Sequence, residues 1–253
     1  MSKHQIGYIF FSLFSLTYAF GMLYLDWSFI YYVPFLIVWF SILIYGSFTI
    51  SANYHVEAVS NIETKERVVA ITFDDGPSEF TPEILKLLAK YDAKASFFCI
   101  GKQVEKHPEI LHAIFEQGHS IGNHSYTHSK VGFQSVAGNI REIQQADKAI
   151  EKVIGEKSTY FRPPFGVTNP NIMRALRKTK HQVIGWNIRS LDTLKHDEIN
   201  IFNRIKRQLT PGSIILLHDT SEKSIKVLER LLIHLKKEDY KSLRIEDLLK
   251  LKS

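Results

Sequence analysis

The sequence predicts an α/β protein: a distorted (β/α) barrel of about seven strands, preceded by an N-terminal hairpin of two transmembrane helices. Three observations predict it. Two uncharged runs open the 253-residue chain. From Arg67 onward, short apolar runs alternate with amphipathic ones, the pattern of repeated β-α units with parallel strands. Polar residues then collect at the C-terminal ends of those strands, and in a barrel such ends converge on one mouth.

The hairpin comes first. Residues 6–25 (IGYIFFSLFSLTYAFGMLYL) and 29–50 (FIYYVPFLIVWFSILIYGSFTI) contain no charged side chain. Each approaches the roughly 20 residues a helix needs to cross a bilayer. Tyr24, Trp27, Tyr31 and Tyr32 gather at the break, where interfacial aromatics are expected. The competing reading is a secretory signal peptide cut near AFG at 19–21, followed by a core helix. It suits the second run poorly, which is too long and too uncharged for an ordinary core element. The chain therefore divides into a hairpin (1–56), a linker (57–66) and one domain (67–253) large enough for a sizeable core. A hairpin returns that domain to the side of the N-terminus. Lys3, Lys65 and Arg67 flank the spans and the intervening loop has no lysine or arginine, which points to the cytoplasmic side.

Strand and helix signals follow in order. RVVAITF (67–73) reads as a strand and TPEILKLLAKY (81–91) as a helix, with Thr81 as N-cap before Pro82. KASFFCI (94–100) is a strand whose Phe97 and Phe98 belong to the core, and HPEILHAIFEQG (107–118) is a helix ended by Gly118. HSIGN (119–123) is a short strand; 136–155 is a long amphipathic helix closing on Gly155. TYFR (159–162), HQVIGWNI (181–188) and GSIILLH (212–218) are strands, and 170–179, 197–209, 223–237 and 244–252 are helices.

The net charge of +6 belongs almost wholly to the domain, since only Lys3 and Asp26 are charged before Glu57. Its basic residues are dispersed, with no basic stripe interleaved with aromatics, so nucleic acid is excluded as a partner. Cys99 is the only cysteine, which forbids a disulfide within the chain; its apolar neighbours mark a buried, inert thiol.

The chemistry begins at AITFDDGPSEF (70–80), where Asp74 and Asp75 stand side by side at the end of an apolar strand. Two carboxylates that close raise each other's pKa unless both face water or a cation sits beside them. In GNHSYTH (122–128), His124 and His128 are four apart, a spacing that on a helical turn puts two imidazoles on one face. With Asp75 they make two histidines and a carboxylate, a metal set with open positions of the catalytic kind. Asp74 is then left off the metal to take a proton from water whose pKa the cation lowers. Neighbouring strand residues point to opposite faces, so two roles for two adjacent acids is natural.

TFDDGP, HSYTH, FRPPFG and LLH, in this order, resemble the polysaccharide deacetylase family with the NodB homology domain (carbohydrate esterase family 4) over Arg67 to the C-terminus. The resemblance implies a distorted (β/α) barrel and a divalent metal, zinc first, with cobalt, nickel or manganese as alternatives. It implies hydrolysis of N-acetyl groups on N-acetylglucosamine-containing polymers, and a catalytic domain outside the cell, against the lysine and arginine distribution. It assigns Asp74 as general base and Asp75, His124 and His128 as metal ligands. Arg162 orients the base, and the backbone N–H of Phe165 helps stabilise the oxyanion, in a place where the family often has Tyr. His218 is the general acid that protonates the departing amine, and Asp192 orients it. The departure lies at RSLDT (189–193): Arg189 replaces the family's first acid in this motif and Thr193 its tryptophan, which leaves the reaction type alone and the substrate open. Trp186 is expected to pack in the core, His119 to be structural, and His107 and His112 to lie at the surface or in packing. The expected partners are an N-acetylated glycan and, through the hairpin, membrane lipid. A cytoplasmic deacylase of a lipid-linked sugar precursor and a glycan-binding pseudoenzyme are the alternatives.

Overall fold

The computed structural model describes residues 3–129, 134–194 and 197–252. Two apolar helices, α1 (Lys3–Tyr24) and α2 (Val33–Phe48), lead the chain. They run antiparallel. His4 N–H donates to Tyr54 O at 3.0 Å and Lys3 Nζ to Ala52 O at 2.8 Å, so α1 starts where α2 ends. Along their seam Phe11 stacks on Trp39 at 4.5 Å and Phe14 meets Phe35 at 3.9 Å. Their outer faces expose Phe10, Leu16, Leu23, Ile37 and Ile44. Lys3–Tyr24 and Phe29–Phe48 are each long and apolar enough to cross a membrane.

Nine strands are present among the described residues: β1 (Ala58–Val59), β2 (Val68–Asp74), β3 (Ala95–Cys99), β4 (Ser120–Asn123), β5 (Tyr160–Phe161), β6 (Gln182–Ile184), β7 (Ile188–Arg189), β8 (Ser213–His218) and β9 (Lys241–Ser242). They pair in the order β1-β6-β5-β4-β3-β2-β8-β7, with β9 also on β2, and every ladder is parallel. All seven residues of β2 are buried, which is why VVAITFD is apolar almost throughout and does not alternate.

The predicted strand 181–188 is broken in two, and the break shapes the barrel. β6 pairs with β5 and β7 with β8, so one kinked segment reaches both sides of the curled sheet. At the kink Gly185 N–H donates to Val59 O and Asn187 N–H to Ile214 O. A Cβ on Gly185 would lie 2.5 Å from Ser60 Oγ, so the kink packs too closely on Ser60 to admit a side chain without displacing it.

The helices α3 (Thr81–Lys90), α4 (Gly101–Lys106), α5 (Pro108–Glu116), α6 (Val136–Ile154), α7 (Pro170–Thr179), α8 (Glu198–Gln208), α9 (Glu222–Lys237) and α10 (Ile245–Leu249) cover the sheet. Ile71, Phe73, Phe97, Leu88, Ile215, Leu217 and Leu231 centre the main core. Each fully buried side chain of this kind contributes about 1.5–3 kcal/mol. Ser135 caps α6 by accepting from Gly138 N–H, and Gly155 ends it with φ 76°.

Two expectations need correction. Thr81 is not the N-cap of α3; it lies inside the first turn, where its hydroxyl accepts from Ser78 N–H and donates to Asp219 Oδ2 at 2.5 Å. A buried carboxylate outcompetes the helix end for that hydroxyl. Nor are residues 57–66 a free linker. Ala58–Val59 pairs with β6, Ile62 is buried, and Asn61 bridges to Ser213.

Candidate active site

The C-terminal ends of β2, β4, β5 and β8 bring the polar residues together. Asp74 is the last residue of β2 and is 3% exposed. Arg162 follows β5 and is wholly buried. Its Nη1 donates to Asp74 Oδ1 at 2.7 Å and to Thr72 Oγ1 at 2.8 Å. Its other donors reach the carbonyls of Ile184 (3.1 Å) and Gly185 (2.9 Å) at the kink, and the guanidinium lies over the Phe98 ring at 4.0 Å. Every face of the cation is occupied, so it presents Asp74 in one orientation.

Asp75 turns away from Asp74 through a left-handed backbone, φ 77°. Its Oδ1 lies 3.4 Å from His124 Nε2 and 3.2 Å from His128 Nε2, and its Oδ2 4.0 Å from His218 Nε2. Burial opposes ionisation of Asp75, but the surrounding imidazoles, His124 first, prevail and bring its carboxyl down to about 2. For His128 burial dominates and lowers the imidazole pKa.

His124 and His128 are not on a helix. Residues 124–129 form a loop in which Ser125 and His128 both take left-handed backbone, φ 65° and 51°. The loop is tied from both sides. Asn123 Oδ1 accepts from Ser125 N–H at 2.8 Å, and buried Glu142 on α6 accepts from Tyr126 N–H, Thr127 N–H (2.8 Å) and the Thr127 hydroxyl. The four-residue spacing brings the two imidazoles together through this loop and not through the helical turn the sequence suggested.

These three side chains fit a divalent cation. Their ligating atoms lie within 4.8 Å of one another. The carbonyl of Arg162 can only accept, so at 2.8 Å it takes the proton on His124 Nδ1 and makes Nε2 the ring nitrogen directed at the Asp75 carboxylate. Asp75 Oδ1 is buried with no hydrogen-bond partner. Two imidazole nitrogens converging on an orphaned carboxylate oxygen form a donor set suited to zinc and its first-row neighbours.

On the far side of Asp75, His218 ends β8, and its Nδ1 and backbone N–H both meet the Asp192 carboxylate at 2.8 Å. Asp192 is 1% exposed and also accepts from the Ser190 and Ser224 hydroxyls. Burial works against charging His218, but Asp192 overcomes it and raises the imidazole to about 9. Phe165, 59% exposed, takes φ 60° in the 164–166 turn, with its ring 4.6 Å from that of His128. A Cβ on Gly166 would come within 2.5 Å of Trp186, so Trp186 is both core packing and the floor of this turn. Arg189 and Thr193 are exposed.

The remaining sequence expectations sort cleanly. Cys99 is fully buried, and burial pushes its thiol far up, away from reactivity. His119 accepts from Ala95 N–H at 3.2 Å at the opposite end of the barrel. His107 joins α4 to α5, and His112 is exposed. Two residues escaped sequence reasoning. Asp219 is 1% exposed, and burial raises its carboxyl to about 7; its signal was an acid directly after a strand-end histidine. Glu142 shares the buried stripe of α6 with Asn139, Ile143 and Ala146, so the helical period itself marked it.

A family model described as polysaccharide deacetylase matches residues 61–184. A peptidoglycan-N-acetylglucosamine deacetylase of Bacillus cereus is 32% identical over 197 residues, which span 76% of this chain and 92% of that protein. The peptidoglycan-N-acetylmuramic acid deacetylase PdaC of Bacillus subtilis is 30% identical over 188 residues, and the match spans 40% of its length. The solved structure of PdaC superposes with a TM-score of 0.71, covering 76% of this chain and 94% of the PdaC chain. The solved structure of a Bacillus anthracis protein described as a carbohydrate esterase family 4 pseudoenzyme superposes equally well, TM-score 0.71 at 26% identity, covering 76% of this chain and 69% of that one.

Proposed function

The chain belongs to the polysaccharide deacetylase family of amide-bond hydrolases, and from that premise we propose that it is a membrane-anchored, metal-dependent N-deacetylase of N-acetylglucosamine-containing wall polysaccharide. Peptidoglycan is the first substrate, ahead of chitin-like polymers and poly-N-acetylglucosamine. The observation that carries this reading is the orphaned Oδ1 of Asp75, faced by two imidazoles and flanked by an Asp74–Arg162 pair and a His218–Asp192 pair.

When bound at Asp75, His124 and His128, a divalent cation, zinc before cobalt, nickel or manganese, supplies Lewis-acid polarisation and makes water nucleophilic near neutral pH. Asp74, oriented by Arg162, accepts the proton of the water attacking the acetyl carbonyl. The backbone N–H of Phe165 donates to the oxygen that gains charge. His218, held charged by Asp192, protonates the departing amine. The products are acetate and a free amine on the sugar.

The pseudoenzyme alternative has against it the complete set Asp74, Asp75, His124, His128, Arg162 and His218 in one mouth. A second reading, a deacylase of a lipid-linked sugar precursor at the cytoplasmic face, is favoured by one contact. Thr168, just after the Phe165 turn, donates its N–H to Ser47 O at the end of α2 at 2.9 Å, so the site sits beside the hairpin. The test is acetate release by the metal-loaded full chain on peptidoglycan, chitin oligomers and poly-N-acetylglucosamine. A reporter fused to the domain and active on one side of the membrane only separates the two readings. Metal binding without acetate release on any of these, lipid-linked precursors included, sinks both.

A further inference from the structure

Where α1 begins, two clefts open between the hairpin and α7. The first, about 440 Å³, is lined by His4, Tyr8 and Ile9 of α1 and by Met173, Arg174 and Arg177 of α7. The second, about 650 Å³, shares Met173 and Arg177 and adds Lys3, His55 and His181. Lys3 also borders a third hollow, about 430 Å³, that runs along the hairpin between Ile6, Phe10, Phe35, Val38 and Trp39. Cations thus stand at the mouth of a trough whose walls are apolar along the hairpin.

The charges there are uncompensated. No carboxylate lines the first or third hollow, and the one in the second, Glu57, is exposed at its rim. Lys3 donates to a backbone carbonyl and Arg174 to the Asn171 side chain, and among the described residues neither they nor Arg177 forms an ion pair. A second observation is independent of charge. His55, 4% exposed, and His181, whose side chain is 5% exposed, both line the second cleft, and each has a buried Nδ1 with no partner. Their Nε2 atoms are engaged by Ser47 Oγ and Asp147 Oδ1. Buried polar nitrogens left unpaired mark this cleft as a polar site and not an apolar gap, and the cations at its mouth select an anionic ligand with several oxygen atoms.

We propose that this trough binds the phosphate headgroup of an anionic phospholipid, its phosphate at Lys3, Arg174 and Arg177 and its acyl chains along α1. The proposal rests on α1 and α2 being membrane-embedded. Charge complementarity selects the headgroup, and continuity of the cationic mouth with the apolar hairpin selects a lipid over a soluble phosphate. Lys3, at the start of α1, and Arg174 and Arg177, beside it on α7, then lie at the depth where headgroup phosphates sit.

The test uses the full chain. Flotation with phosphatidylcholine vesicles reports whether the hairpin inserts. Native mass spectrometry after competition between phosphatidylglycerol and phosphatidylcholine reports headgroup preference. The preference for phosphatidylglycerol is expected to fall roughly tenfold in the R174Q/R177Q double variant and to persist in K178Q, on the same helix but outside the clefts. Both variants keep their acetate release in detergent, since neither touches the mouth of the barrel. Flotation with no phosphatidylglycerol preference, or equal preference in the double variant, overturns this proposal alone. So does displacement of the lipid by inorganic phosphate at matched concentration. Failure to float overturns the hairpin reading and this proposal with it.

Discussion

The Arg162 guanidinium donates to the Asp74 carboxylate at 2.7 Å, with side-chain exposures of 0% and 4%. This contact joins the residue after β5 to the end of β2, and in the proposed reaction it holds Asp74 for the water while Asp75 serves the metal. Asp74→Asn keeps an acceptor oxygen for Arg162 and is expected to abolish acetate release while metal content stays at the wild-type level. His124→Ala is expected to lose both. Near-normal turnover in Asp74→Asn means that Asp74 is not the base. Arg162→Leu strands a buried carboxylate and should lower stability by about 3–5 kcal/mol, read by denaturant unfolding.

The Asp192–His218 pair sets a pH dependence. His218 must be protonated to act as an acid, and Asp192 raises its pKa to about 9, so activity should hold through neutral pH and fall as pH rises through that value. In Asp192→Asn the carboxylate no longer offsets burial, and the basic limb of the pH–rate profile should move downward. Acetate release at neutral pH should fall about 10²–10⁴-fold, the usual worth of a general acid. An unmoved basic limb removes His218 from that role.

Glu142 reaches the metal set only through the 124–129 loop, whose Tyr126 and Thr127 amides it accepts. Glu142→Ala should weaken metal affinity about 10–100-fold, the usual effect of losing a ligand's support. Activity should recover at saturating metal, and Glu142→Gln, which keeps one acceptor, should fall between. Metal titration followed by acetate release checks this; a lower ceiling at saturating metal assigns Glu142 a different part.

The barrel was readable because each long strand is a short apolar run and each helix carries a clear stripe, so β2, β3, β8, α6 and α9 fall where the pattern puts them. Two-residue strands such as β1 and β9 have too few residues to show any period, and they exist only because a neighbouring edge is there to pair with. The kink at Gly185 was hidden because 181–188 is apolar on both sides of it. At the site, strand-end acids and histidines announced themselves by type and position. The left-handed turns at Asp75, Ser125, His128 and Phe165, which aim them, fall on residues that carry no glycine signal. Residues 130–133 and 195–196 lie outside the described residues and close to this mouth in sequence.

The hairpin and the domain share packing. Ile50, just past α2, is 4% exposed and belongs to the cluster of Phe161, Ile172, Ala175 and Val183, in which Phe161 immediately precedes Arg162. Ile50→Ala should destabilise the domain by about 2–4 kcal/mol, as for other buried aliphatic truncations. Thermal unfolding in detergent measures it, and an unchanged midpoint means that the hairpin is an anchor with no part in the fold.

His119 makes stability depend on pH at the other end of the barrel. Its Nδ1 accepts from Ala95 N–H and its ring sits edge-on to Phe97 at 5.6 Å. Burial above all, helped by Lys94 and Arg244, lowers its pKa to about 4. The unfolded chain takes up this proton near the ordinary imidazole value of about 6.5, so acid favours unfolding. The contribution is complete above about 6.5 and is lost as pH falls toward 4, reaching about 3 kcal/mol over that window. His119→Asn supplies an amide oxygen to Ala95 N–H and cannot titrate. Denaturant midpoints recorded for both proteins between pH 7 and about pH 4 should therefore fall less steeply in the variant. His55, lowered the same way to about 4, keeps a residual slope in both proteins, so the difference between them isolates His119. Parallel curves would mean that the imidazole is already charged in the folded protein, with the Ala95 N–H held by something else.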